Sequence, residues 1–315
     1  MTAGHILALS GGVGGAKLAS GLAAILPPER LTIAVNTGDD FEHLGLTVCP
    51  DIDSVAYAMA GLNDRQRGWG MADETWQAMA RLKALGEADW FNLGDRDLAM
   101  HIARSWRLRA GESLSAVTAR LTAALGIAHS IIPMSDDPLR TQVETDDGWL
   151  DFQSYFVGEQ CRPAVKAIRF TGSQTAEPSA GLIHALTRPD LAAVVICPSN
   201  PFLSIDPFLA LKGLRGTLST LSVPCIAVSP LVGGNALKGP LSKLLDELGL
   251  ARSNQAIAEY YGTLLNHLVI DTSDKADADS VVAMGLEVSV LPTVMKTNAD
   301  QAELARAVLT AVGAR

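Results

Sequence analysis

The chain is 315 residues long, with 48% apolar and 19% charged residues and a formal net charge of −9. Such a chain has ample material for a core, as one large domain or two smaller ones, which excludes a disordered or fibrous protein. The acidic balance, with no basic block or basic helix face, excludes nucleic-acid binding by a cationic groove.

Four cysteines (Cys49, Cys161, Cys197 and Cys225) form no C-x-x-C pair and are read as reduced packing residues. The apolar stretch Ile6–Leu9 is broken at once by glycines and lacks the basic start of a signal peptide. No apolar run approaches the roughly 18 residues of a membrane span. A cytoplasmic protein without membrane contact is the expectation.

The first predicted element is a buried strand, His5–Ser10, ending in glycines. Helical periodicity follows from Lys17 to Leu26 and stops before Pro27-Pro28. Leu31–Asn36 is a second strand, so the chain opens as a βαβ unit of a doubly wound parallel sheet. Thr37–Asp53 is loop-like, and helices are predicted at 54–61, 73–85, 98–109 and 114–125. Ser130–Pro133 is a short strand. Gln142–Phe156 alternates around Asp146-Asp147-Gly148, a hairpin signal, and reads as an antiparallel excursion. Further strands are predicted at 165–170, 193–197, 225–229, 267–271 and 286–291, with helices at 181–186, 241–248, 254–265 and 299–312. The expected fold class is α/β. A Rossmann-like, mostly parallel sheet flanked by helices forms one domain over 1–315, with a helical insertion near 54–128 and a hairpin excursion at 139–157.

Within this frame, SGGVGGAK (Ser10–Lys17) places four glycines in five positions. A P-loop needs Gly before Lys17 and Ser or Thr after it, and Ala16 and Leu18 stand there instead. A dinucleotide fingerprint needs a third glycine at Lys17 and an acid at the end of the second strand, where Asn36 stands. What remains is a backbone that turns sharply and a helix N-terminus offering N–H groups to an anion. Asp39, Asp40, Glu42, Asp51 and Asp53 put five carboxylates into 15 residues after a strand's C-terminal end. Such acids beside a phosphate loop suit a hard cation, or one of them could take a proton from an attacking hydroxyl. Asp95, Arg96 and Asp97 precede a helical run. Asp95 or Asp97 is a candidate N-cap, and Arg96 a candidate clamp on phosphate or carboxylate. His101, one turn beyond Asp97, reads as structural. The post-strand loops with Ser199, Asn200 and Ser204, and with Gly233, Gly234 and Lys238, offer polar groups to a ligand. No G-x-S-x-G elbow and no Cys/His pairing supply a covalent nucleophile.

Taken in order, LSGGVGGAKL, NTGDDFEHLGLTVCPDIDSV, RGWGMADETW, WFNLGDRDLAMHI, PMSDDPLRTQVET, PSNPFLSIDP and SPLVGGNALKGP resemble the 2-phospho-L-lactate transferase family of coenzyme F-420 biosynthesis, nearly end to end. AEYYG at 258–262 also fits. The resemblance implies transfer of a phospho-three-carbon-acid from a guanosine-diphospho-linked donor to the ribityl hydroxyl of a deazaflavin acceptor, 7,8-didemethyl-8-hydroxy-5-deazariboflavin (Fo). GMP leaves, and magnesium is required. It implies that Asp53 and Arg96 contact Fo, with Asp51 beside the first, so that Asp53 and Asp51 are the catalytic candidates. Asp39, Asp40 and Asp53 become the metal candidates. Gly11, Gly12, Gly14, Gly15, Ser199, Asn200 and Lys238 become the donor-binding candidates. It also implies a homodimer. The GGVGGAK, RGWG and LGDRDLA spellings look closer to bacterial members, which leans away from lactate without choosing between phosphoenolpyruvate and 3-phosphoglycerate. A nucleotide- or nucleotide-sugar-binding regulator of the same fold is the alternative.

Overall fold

The structure, a computed structural model, describes residues 4–314. The expected domain span of 1–315 therefore runs past the described residues at both ends.

Strands β1 (His5–Ser10), β2 (Leu31–Val35), β3 (Ser130–Pro133), β4 (Leu191–Ile196), β5 (Cys225–Val228), β6 (His267–Asp271) and β7 (Glu287–Leu291) form one sheet in the order β7-β6-β5-β4-β1-β2-β3. Every neighbouring pair is parallel. Parallel strands covered on both faces read as unbroken apolar runs, and all six residues of β1 are buried. Alternate residues serve opposite faces. Leu7 and Leu9 join Val194 and Ile196 in one core, while Ile6 and Ala8 join Ile33, Val195 and Val228 in the other.

Helices α1 (Gly12–Ile25), α2 (Pro50–Ala60), α3 (Gln77–Ala84), α4 (Asp95–Arg109) and α5 (Leu114–Ala124) all precede β3. On α1, Leu18 and Leu22 point into the second core together with Ile52 and Val55 of α2 and Leu304 and Val308 of the C-terminal helix Asn298–Ala311. Each such leucine contributes about 2 kcal/mol of burial. No described helix is long and apolar enough to cross a membrane.

The strand order reverses between β1 and β4. Both neighbour each other, and the chain winds away from them in opposite directions. A crevice opens outside the carboxyl ends of strands at such a switch point, and ligands of doubly wound sheets bind there. The loops leaving β1 (Gly11 onward) and β4 (Cys197–Asn200) therefore flank the crevice, with the loop leaving β2 (Asn36–Asp40) beside them.

Three expectations need correction. The glycine segment is not a loop ahead of a helix at Lys17: α1 begins at Gly12, so the glycines form its first turn. Thr37–Asp53 is not all loop. Phe41–His43 and Leu46–Val48 pair as a hairpin, and α2 starts at Pro50, a residue preorganised for the first helical position. The strand predicted at 165–170 lies outside the main sheet. Ala167–Thr171 pairs antiparallel with Arg140–Thr145, which also pairs with Gly148–Asp151, in a separate three-stranded sheet. Alternating polarity suits a half-exposed antiparallel strand and does not say which sheet it joins.

Candidate active site

The crevice begins at Gly11. Its N–H donates to Ser199 Oγ at 3.2 Å, and Ser199 donates back to the Gly11 carbonyl at 2.9 Å, so the loops leaving β1 and β4 are stitched together. Gly12 has φ of +66°, a conformation costly for any residue with a Cβ. A Cβ on Gly14 would collide with the Pro198 carbonyl, and one on Gly15 would lie 2.7 Å from Ser10 Oγ and 2.8 Å from Ser199 Oγ. Much of the glycine content thus serves the close approach of α1 to the 198–204 segment, and the bare first turn of α1 faces the crevice as a by-product. Ser199 is spent on this stitch. Asn200 caps the following turn, its Oδ1 accepting from the N–H groups of Phe202 (3.0 Å) and Leu203 (3.3 Å), while its Nδ2 is buried without a partner among the described residues.

Asp51 and Asp53 sit in the first turn of α2, both buried. Asp51 Oδ1 accepts from the Gly12 N–H at 2.8 Å and Oδ2 from Asn36 Nδ2 at 2.9 Å, tying α2 to the start of α1. Asn36, where an NAD site would carry an acid, also donates to the Leu203 carbonyl at 3.3 Å and accepts from the Gly38 N–H at 2.8 Å. Burial pushes the Asp51 carboxyl up to about 6, against the two hydrogen bonds from Asn36 and Gly12 that favour its anion.

Asp53 meets a different set of groups. Arg104, 1% exposed on α4, places Nη1 3.0 Å from Asp53 Oδ2 and Nη2 on Oδ1, a two-pronged buried ion pair. His101 Nδ1 lies 3.2 Å from Arg104 Nη1 and 3.7 Å from Asp53 Oδ2, and its Nε2 lies 3.3 Å from Asp97 Oδ1, which also accepts from the Tyr57 hydroxyl. Burial would raise the Asp97 pKa, but His101 and Tyr57 outweigh it and hold the group below the usual carboxylate range. Burial works against the Arg104 charge, and Asp53, with Cys49 and Tyr57, more than offsets it. Asp53, Asp97 and His101 also have donor atoms within 4.8 Å of one another, the spacing of a metal centre. The arginine on Asp53 and the tyrosine on Asp97 already compensate that cluster.

Asp39 and Asp40, 7% and 3% exposed, follow β2 at the same rim. One oxygen of each, Oδ1, is buried with no hydrogen-bond partner among the described residues. Burial pushes Asp40 up to about 7 against the pull of Arg140. Burial, Asp51 and Asp40 together raise Asp39 well above the carboxylate range. Adjacent buried carboxylates with unsatisfied oxygens fit a hard divalent cation, which prefers oxygen ligands. Asp39, Asp40 and Asp53 do not come together as one three-ligand set among the described residues.

Arg96 is exposed, on the first turn of α4, with Nη1 donating to the Ala72 carbonyl at 2.8 Å. Neither Asp95 nor Asp97 caps that helix: Gly94 is the N-cap residue, and Glu74 accepts from the N–H groups of Arg96 (2.7 Å) and Asp97 (2.8 Å). Asp95 in return accepts from Gln77 and Ala78 at 3.0 Å each, at the start of α3. Two helices thus exchange caps, which fixes the segment carrying Arg96. Phe41 and His43 of the hairpin pack edge-on against Phe91 and Trp90 (centroids 4.8 and 5.2 Å), joining that segment to the acidic loop. Lys238 is exposed and lines a cavity beside Val13.

The sequence places His101 one turn beyond Asp97, and Arg104 is the member of this cluster that sequence reasoning missed. The i, i+3 spacing of His101 and Arg104, which extends that face, was the available signal.

The model of the family "2-phospho-L-lactate transferase CofD" matches residues 6–306. A phosphoenolpyruvate transferase from Kitasatospora aureofaciens is 38% identical over 312 residues, covering 97% of each chain. A 2-phospho-L-lactate transferase from Methanosarcina mazei is 38% identical over 306 residues, covering 97% of this chain and 100% of that one. A crystal structure of a UPF0052 family member from Bacillus halodurans shares the fold, with a TM-score of 0.62 over 98% of this chain and 99% of that one at 14% identity. Matched along nearly its whole length, the chain belongs to the 2-phospho-L-lactate transferase CofD family and is a transferase.

Proposed function

We propose that this transferase moves the phospho-acid part of a guanosine-diphospho-linked three-carbon acid onto the terminal ribityl hydroxyl of Fo, releasing GMP, in coenzyme F-420 biosynthesis. It works as a cytoplasmic homodimer that uses magnesium. The hydroxyl oxygen bonds to the phosphorus that carries the acid. The bond from that phosphorus to the bridging oxygen breaks, and the oxygen leaves with GMP. The hydroxyl proton passes to a carboxylate.

One observation carries this reading. The first turns of α1 and α2 meet at the β1/β4 switch point, joined by the Gly12–Asp51 hydrogen bond, and so put a helix N-terminus, which favours anions, beside two buried acids. The relatives' names add the phospho-acid chemistry. Asp53, held at both oxygens by Arg104, orients the acceptor hydroxyl together with Arg96. Asp51, raised to about 6 and anionic at neutral pH, matches a general base better than an ordinary carboxylate does. Asp39 and Asp40 would hold magnesium, and the Asp53 oxygens are already matched to Arg104. When bound, the cation neutralises charge on the transferring phosphoryl oxygens. Gly11, Gly12, Gly14 and Gly15 shape the donor wall, with Asn200 and Lys238 on the same side.

The reading is tested by incubating the enzyme with Fo, magnesium and the guanylylated three-carbon acid that it uses fastest, and following the coupled product by mass spectrometry. Wild type forms product and Asp53→Asn, folded by circular dichroism, does not. Turnover by Asp53→Asn near the wild-type rate would remove Asp53 from the chemistry.

A further inference from the structure

Cations are outnumbered in this chain, 25 Lys and Arg against 34 Asp and Glu. Yet one cavity, bounded by α1, α2, the 63–70 loop and the start of the C-terminal helix, gathers Lys17, Arg65, Lys238 and Lys296. Its one carboxylate, Asp64, is already paired with Arg67 at 2.9 Å. Among the described residues, none of the four cations has a carboxylate within 4.0 Å. The partners they have are neutral. Lys17 Nζ donates to the Met295 carbonyl at 2.9 Å, and Arg65 Nη2 to Asn298 Oδ1 at 2.8 Å. Burial, then the charges of Lys238 and Arg65, push the Lys17 pKa down, as expected of like charges that line one cavity.

The loop that carries Arg65 is tied down by its own contacts. Arg67 lies 4.9 Å from the rings of both Trp69, which lines the cavity, and Trp76, and donates to the Met71 carbonyl at 2.7 Å, which holds the loop. Val13, between Gly12 and Gly14, and Ser54, next to Asp53, form part of the wall, so the cavity lies beside the first turns of α1 and α2. Its volume, about 100 Å³, is smaller than a whole nucleotide needs and suits a compact charged group.

We propose that this cavity receives the polyanionic end of the donor, its diphosphate and the carboxylate of the transferred acid, with Lys17, Arg65 and Lys296 as binding residues alongside Lys238. The proposal rests on the donor chemistry of the preceding subsection. Several cations that line one cavity without a direct ion pair repel one another, and an anion with several charges relieves that repulsion at once. The guanosine end then lies outside the cavity and contributes through other contacts.

The test is calorimetric titration of wild type and of Lys17→Gln, Arg65→Gln and Lys296→Gln with inorganic pyrophosphate, GDP and guanosine. Lys275→Gln, an exposed lysine that does not line the cavity, is the control. Each cavity variant is expected to weaken pyrophosphate and GDP about tenfold, to leave guanosine unchanged, and to raise the donor KM more than it lowers kcat. Arg65→Lys should recover much of the loss. Unchanged pyrophosphate binding in all three variants, or an equal loss in Lys275→Gln, would overturn the proposal. Cation-dependent pyrophosphate binding without product from any donor would leave the cavity assigned and reject the transfer reaction. Normal turnover with an unchanged donor KM in the three variants would do the reverse.

Discussion

Asp40→Asn should make the metal-free protein more stable at pH 8 and leave it unchanged at pH 4. Burial lifts the Asp40 carboxyl from 3.8 to about 7, a rise of about three units. At 1.36 kcal/mol per unit, keeping that carboxylate ionised in the fold costs about 4 kcal/mol. The sign follows from proton binding. Between about pH 4 and pH 7 the folded protein retains a proton that the unfolded chain has lost, so stability falls as pH rises through that window. Below it both states are protonated and the cost is absent; above it the cost is fully present. An asparagine of the same shape removes it. Urea unfolding followed by circular dichroism at pH 4 and pH 8 reads both values. Magnesium should stabilise wild type at pH 8 and have much less effect on Asp40→Asn, because the cation offsets the same charge. A variant destabilised equally at both pH values would refute the argument.

Other outcomes follow from the same geometry. Arg104→Met leaves Asp53 buried without its counter-ion and should cost about 3–5 kcal/mol in urea unfolding; a loss under 1 kcal/mol would mean the pair is solvated. Gly14→Ala sets a methyl against the Pro198 carbonyl and should cost about 1–3 kcal/mol, and an unchanged melting temperature would count against that packing. Glu74→Ala removes the carboxylate that receives the Arg96 and Asp97 N–H groups. It should cost about 1 kcal/mol and speed amide exchange at the start of α4, and unchanged exchange there would contradict the shared cap.

The central strands were legible because their chemistry is local. Buried parallel strands are continuous apolar runs, and β3 and β6 fall at the predicted residues. Element starts were harder. Pro50 with Asp51 and Asp53 in the following turn is a helix-start signal, yet the acids drew attention as loop chemistry. The hairpin at 41–48 escaped because its strands have three residues each and its turn uses Leu44 and Gly45, both at positive φ. For the candidate site, residue types were readable and partnerships were not. Asp53 and Arg104 are 51 positions apart, and Glu74 caps a helix 22 positions on. Only the fold brings them together. In the sequence the glycines read as backbone open to a ligand, and the structure adds a packing reason for Gly14 that lies 184 residues away, at Pro198.

The most direct test of the transfer reaction is a donor panel. The enzyme is incubated with Fo, magnesium and, separately, the guanylylated forms of phosphoenolpyruvate, 3-phosphoglycerate and 2-phospholactate, and mass spectrometry quantifies GMP and phospho-acid-linked Fo together. The account predicts equal amounts of the two products with at least one donor. GMP released without modified Fo, or no product from any of the three, would contradict it.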